Sequence, residues 1–181
     1  MQRYVAFLRG INLGRRRPPM ALLKAKFEEL GFEEVATLIA SGNVLFSSGE
    51  RGESRVESRI AGHLESSLGY PVDTFVRTTG EVAAISGAKV FPDQDQPGIT
   101  THVGFLQNAL APAVARALSG VRTPDDALRV IGREYYWLCR VRTTDSKVWQ
   151  LPEVRALKLP TSTMRNMTSI KKLVAFASLF R

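Results

Sequence analysis

Residues 35–47 read VATLIASGNVLFS, and the reading of this stretch decides the fold. Two apolar runs, Val35 to Ala40 and Val44 to Ser47, flank Ser41-Gly42-Asn43, three residues that suit a tight turn. The stretch is a β-hairpin. Before it, Met20, Leu23, Phe27 and Leu30 recur at three- and four-residue steps, which puts them on one helix face. Pro18-Pro19 suits that helix's first turn, where a missing N–H costs nothing, and Gly31 suits its end. Tyr4 to Leu8 is a short apolar strand ended by Gly10. After the hairpin, Val56, Ile60, Leu64 and Leu68 define a second amphipathic helix closed by Gly69 and Pro71, and Val72 to Arg77 form another strand. The order is β-α-β-β-α-β, the split arrangement of a ferredoxin-like unit with helices on one face of a sheet.

The second half repeats the theme less cleanly. A short helix near Glu81 to Ser86 leads through the Pro/Asp-rich loop Phe91 to Gly98 to a strand at His102 to Gln107. Pro112 to Leu118 reads as helix, and Leu128 to Ile131 with Tyr135 to Val141 as a hairpin around Gly132-Arg133-Glu134. A final helix spans Ser169 to Phe180, with Ile170, Leu173, Val174 and Ala177 on its apolar face. The expected fold class is α+β: two ferredoxin-like halves, residues 1–78 and 79–181, intertwined into one compact unit, with the boundary near Thr78 to Gly80. No internal sequence repeat accompanies this duplication of pattern.

A chain of 181 residues buries enough surface for a core without staples. Its 44% hydrophobic and 23% charged residues are ordinary for a folded soluble protein. No segment approaches the roughly 20 apolar residues of a membrane span, and Arg9 interrupts the N-terminal apolar run too soon for a signal-peptide core. The expected location is cytoplasmic, with no membrane partner. Cys139, the single cysteine, excludes an internal disulfide and reads as a buried structural thiol in the strand-like run Tyr135 to Cys139. His63 and His102 lie far apart in sequence, no cluster has metal-ligand spacing, and no metal or cofactor is expected.

The net charge of +8 is unevenly spread: residues 1–31 hold seven basic and two acidic side chains, and residues 161–181 hold four basic and none acidic. Residues 32–100 run the other way, with ten acidic and five basic. Excess at both ends predicts a positive patch if the fold brings them together. The segment Arg9-Gly10-Ile11-Asn12-Leu13-Gly14, followed by Arg15-Arg16-Arg17, reads as an anion-binding strand-to-helix loop. Gly10 and Gly14 permit backbone N–H groups to converge, and the helix end behind them is positive. The spacing is neither a Walker loop nor a dinucleotide fingerprint. Ser41-Gly42-Asn43 is explained by its turn alone. In Thr163-Met164-Arg165-Asn166-Met167-Thr168-Ser169, either Asn166 or Thr168 suits the cap of the last helix, and Arg165 adds a second anion-competent corner.

Together, Tyr4 to Gly14, Ser41-Gly42-Asn43 and Thr163…Arg165-Asn166 resemble domain-of-unknown-function family 1697 in content and order. The resemblance implies a compact bacterial α+β protein built from ferredoxin-like halves, and implies no activity. Arg15-Arg16-Arg17 departs from the glycine and small residues usual in the family's first loop. Met167 replaces its usual tryptophan, and Thr168-Ser169 its usual Asn-Thr. The resemblance joins the three motifs into one expected ligand site: Arg9 and Arg165 for charge, Gly10 and Gly14 for backbone geometry, Asn12, Asn43 and Asn166 for orientation, and Ser41 beside them. The expected partner is a phosphorylated small molecule or nucleic acid. Two alternatives remain open. One is an enzyme on a small anionic substrate, for which Ser41 lacks a nameable base. The other is a regulatory domain with an unspecified protein partner.

Overall fold

The computed structural model describes residues 1–12, 14, 17–38 and 42–179. Its contacts divide the chain into two units, Met1–Ser86 with Lys171–Arg181, and Gly87–Ile170. A single cut near Thr78 is thereby replaced by two crossings, because the last helix returns to the first unit.

The first unit begins with strand β1 (Gln2–Arg9), helix α1 (Met20–Glu29), strands β2 (Glu33–Leu38) and β3 (Asn43–Ser48), helix α2 (Glu53–Leu68) and strand β4 (Asp73–Thr78). The sheet order is β2-β3-β1-β4, all antiparallel, which is the ferredoxin-like order that the hairpin implied. One sheet face carries Tyr4, Ala6, Leu8, Val44, Phe46 and Val76. It is covered by Leu23 and Phe27 of α1 and Val56, Ile60 and Leu64 of α2. Alternation puts Val5, Phe7, Leu45 and Phe75 on the opposite face, and these are equally buried. Helices α3 (Thr79–Gly87) and α6 (Met167–Leu179) supply the cover there. Thr78 and Glu81 begin α3 with a reciprocal cap, Thr78 N to Glu81 Oε2 at 2.7 Å and Glu81 N to Thr78 Oγ1 at 3.1 Å.

Two carboxylates take part in this unit's hydrogen bonding. Strand β4 pairs only with β1, so its outer edge is open to a side chain. Glu57 of α2, 4% exposed, accepts from Val76 N at 2.8 Å along that edge, with Arg77 Nη1 3.9 Å from the same oxygen. In β2 the register slips between Glu33 and Ala36, and Glu34 takes φ +50. Its carboxylate then accepts from Ser47 Oγ at 2.6 Å and lies 4.0 Å from Arg3 Nε.

The second unit holds β5 (Thr100–Phe105), α4 (Pro112–Gly120), β6 (Asp126–Ile131), β7 (Glu134–Cys139), a short helix α5 (Pro152–Ala156) and β8 (Thr163–Asn166). Its order, β6-β7-β5-β8, repeats that of the first sheet. Leu118, Leu128, Tyr135, Trp137, Cys139, Val148 and Val154 form its core. Gly104 has no Cβ because the Tyr135 ring crosses there: a Cβ would lie 2.0 Å from Tyr135 Cζ. Buried Asp126 accepts from Trp137 Nε1 at 2.7 Å, Ser146 Oγ at 2.8 Å and Thr123 Oγ1 at 3.1 Å. Cys139 is fully buried, and burial pushes its thiol pKa up. Met164-Arg165-Asn166 carries no strand-like side-chain pattern, and pairing to β5 makes it a strand. No described helix is long and apolar enough to cross a membrane.

Candidate functional site

The first unit brings two of the three sequence motifs together. Because β3 runs antiparallel to β1, Phe7 lies opposite Asn43, and the end of β1 meets the start of β3. Leu8 N donates to Gly42 O at 2.8 Å. A Cβ on Gly42, at φ +76, would lie 2.7 Å from Ile11 Cγ2 and 3.3 Å from Leu8 Cβ. The β1–α1 loop is thus seated on the hairpin turn, with Ile11 buried as its anchor.

The expected site residues divide within that frame. Arg9 ends β1 opposite Asp73, and its Nη1 donates to Asp73 Oδ2 at 2.8 Å with both side chains about half exposed. Its charge is already answered by a carboxylate. Gly10 (φ +83) and Gly14 (φ +60) adopt the left-handed conformations that the loop reading required. Asn12 is exposed, whereas Asn43 is buried at the head of β3, turned away from solvent-borne ligands. Ser41, with Arg15 and Arg16, lies outside the described residues.

Beyond Gly14, exposed Arg17 and then Pro18-Pro19 lead into α1. Pro19 occupies the cap position with no side-chain hydrogen bond to the first turn, and no acidic residue lies in that turn. The first intrahelical bond is Leu23 N to Pro19 O at 3.1 Å, so the N–H groups of Met20, Ala21 and Leu22 precede the ladder. They adjoin a hollow of about 450 Å³ lined by Asn12, Arg17, Pro18, Pro19 and Met20. This hollow has a cation, an amide and a positive helix end, and no carboxylate among the described residues that line it.

The third motif belongs to the second unit and is occupied internally. Arg165 of β8 donates from Nη1 to Thr163 Oγ1 at 2.8 Å and to Met164 O at 2.9 Å. Burial pushes its guanidinium pKa down to about 10, which leaves it charged at neutral pH. Asn166 Oδ1 accepts from Ser169 N at 2.8 Å, the N-cap of α6. Met167 is 7% exposed and packs inward, so it offers no stacking platform. Sequence reasoning missed two participants, Asp73 and Arg17. Asp73 faces Arg9 only through strand register, 64 positions away in sequence. Arg17 was visible as part of an arginine run, and was separated from it only by its position beside the helix start. Among the described residues, no three His, Cys, Asp or Glu side chains gather as metal ligands.

The model of a family described as a protein of unknown function (DUF1697) matches residues 1–136, three-quarters of the chain. No curated protein matches. Among solved structures, the conserved bacterial protein SP0830 from Streptococcus pneumoniae has a TM-score of 0.73 to this one. It is 20% identical, and the match covers 97% of this chain and 98% of that one. The chain belongs to the DUF1697 family, and it is similar to the streptococcal protein in fold.

Proposed function

We propose that this family member binds a small phosphorylated ligand in the hollow between the β1–α1 loop and the start of α1. The observation that carries this reading is the open first turn of α1 beside Arg17 and Asn12, with no acidic residue among the described residues that line the hollow. Backbone N–H groups and a guanidinium suit the tetrahedral oxygens of a phosphoryl group. A hydrogen bond to a charged group contributes about 1.5–3 kcal/mol, so Arg17 carries more of the affinity than the helix end, at about 0.3–1 kcal/mol. Arg9 plays a structural part in this reading, holding the strand end to Asp73, and Arg165-Asn166 belongs to the second unit's own packing. The loop and helix start hold no carboxylate or histidine, which favours binding over acid–base catalysis.

The experiment is a thermal-shift series with inorganic phosphate, a nucleoside, its monophosphate and a short RNA. A ligand at a hundred times its dissociation constant stabilises the fold by about 2.7 kcal/mol. The monophosphate should raise the melting temperature where the nucleoside does not, and Arg17→Gln should remove the difference. RNA affinity falling with salt at about 0.7 per phosphate would assign the site to a polyanion. Equal responses to nucleoside and monophosphate would refute the reading.

A further inference from the structure

On the second face of the first sheet lies a cavity that the loop hollow does not use. It measures about 200 Å³ and is walled by Val5 of β1, Val82 and Ala83 of α3, and Leu173 and Val174 of α6, with Arg3 on β1 closing one side. Val5, Val82 and Leu173 are each 1% exposed, so its floor is apolar and fixed. Ala83 is exposed and Val174 half-buried, which places the mouth between α3 and α6. A dry apolar cavity of about 150 Å³ takes up benzene in another protein, so this one admits a ring or short acyl chain with one small polar group.

Arg3 decides which polar group. Among the described residues it is the only charged one in the lining, and none of them is acidic. Its side chain is three-quarters buried, at 25% exposure. Nη1 donates to Ala177 O at 3.2 Å, which ties the guanidinium to α6, and Glu34 stands 4.0 Å from Nε. A guanidinium held beside apolar walls favours a planar carboxylate, which it meets with paired charge-assisted hydrogen bonds. We propose that this cavity binds a compact monocarboxylate of benzoate or short-acyl size, its carboxylate on Arg3 and its apolar body against Val82, Leu173 and Val174. Among the described residues the cavity shares no lining residue with the loop hollow, and its proposed ligand does not depend on it.

The test is an amide NMR titration of the full chain with benzoate and with benzyl alcohol, its neutral counterpart. Benzoate should give saturable shifts on α3, α6 and β1, and bind about tenfold more tightly than the alcohol, a difference of about 1.4 kcal/mol. Ala83→Leu fills the mouth from an exposed helix position and should abolish binding of both. Arg3→Gln should remove the preference for benzoate while leaving the alcohol unchanged. Glu34→Gln, which takes away the competing carboxylate, should tighten benzoate binding. Arg17→Gln should leave it unaltered, which separates this site from the phosphate reading. Shifts that map elsewhere, Ala83→Leu binding like the wild type, or a preference surviving Arg3→Gln would each overturn the proposal.

Discussion

Gly42 is the joint between the hairpin and the β1–α1 loop, and replacing it by alanine measures what that joint is worth. Two costs add. At φ +76 a Cβ carries the left-handed penalty of about 1–2 kcal/mol. That Cβ would also meet Ile11 Cγ2 at 2.7 Å and Leu8 Cβ at 3.3 Å, and neither neighbour is the free end of an exposed side chain. Overpacking of this kind costs about 1–3 kcal/mol. Gly31, which follows α1, provides the control. It has the same φ of +76 with nothing within 4 Å of its would-be Cβ, so Gly31→Ala incurs only the conformational part. Gly42→Ala should therefore destabilise by about 2–5 kcal/mol, and Gly31→Ala by about 1–2 kcal/mol. Urea unfolding followed by far-ultraviolet circular dichroism is the suitable assay, because both tryptophans, Trp137 and Trp149, lie in the second unit and would report on it instead. Equal destabilisation by the two substitutions would refute the seating of the loop on the hairpin.

Glu57→Ala should cost about 3–5 kcal/mol in the same assay, since it strands Val76 N–H and the buried Arg77 charge. Glu57→Gln, which keeps an acceptor, should cost less. Asp126→Ala removes the acceptor of Trp137 Nε1 and of two hydroxyls, and should destabilise by about 3 kcal/mol, read by tryptophan fluorescence. His102 has a pKa lowered by burial, its ring centroid 4.9 Å from that of Trp137. The unfolded chain therefore takes up this proton first. Stability falls as pH drops through about 6.5 and stops falling below the depressed folded value, by at most about 1.4 kcal/mol per pH unit. His102→Gln should remove that part of the slope, and an unchanged profile would contradict it.

The first half was legible because its signals are local. The helix stripes of α1 and α2, the glycine after each, and the Gly42 turn are written in neighbouring residues, and together they force a split order of strands. Strand β8 was not legible, because Met164-Arg165-Asn166 becomes extended only by pairing with β5, about sixty residues earlier. The return of α6 to the first unit was hidden for the same reason: its apolar stripe says that it packs, not where. At the candidate site, the glycines and the helix start were readable. The neutralisation of Arg9 was not, since Asp73 faces it only once β4 has paired with β1 in register. Asn166 as a cap was readable, and the Thr163 and Met164 oxygens that hold Arg165 were not.

The path of α6 has a consequence for how the protein is made. The first sheet leaves the ribosome complete in its strands, with Val5, Phe7 and Phe75 lacking half of their cover until residues 171–179 arrive. At roughly 5–20 residues per second, that wait is on the order of ten seconds. A nascent chain in that interval presents a greasy sheet face to chaperones and to its neighbours on the same message. A polypeptide lacking α6 would stay in that condition permanently, so loss of residues 171–179 should show itself as aggregation through the first sheet.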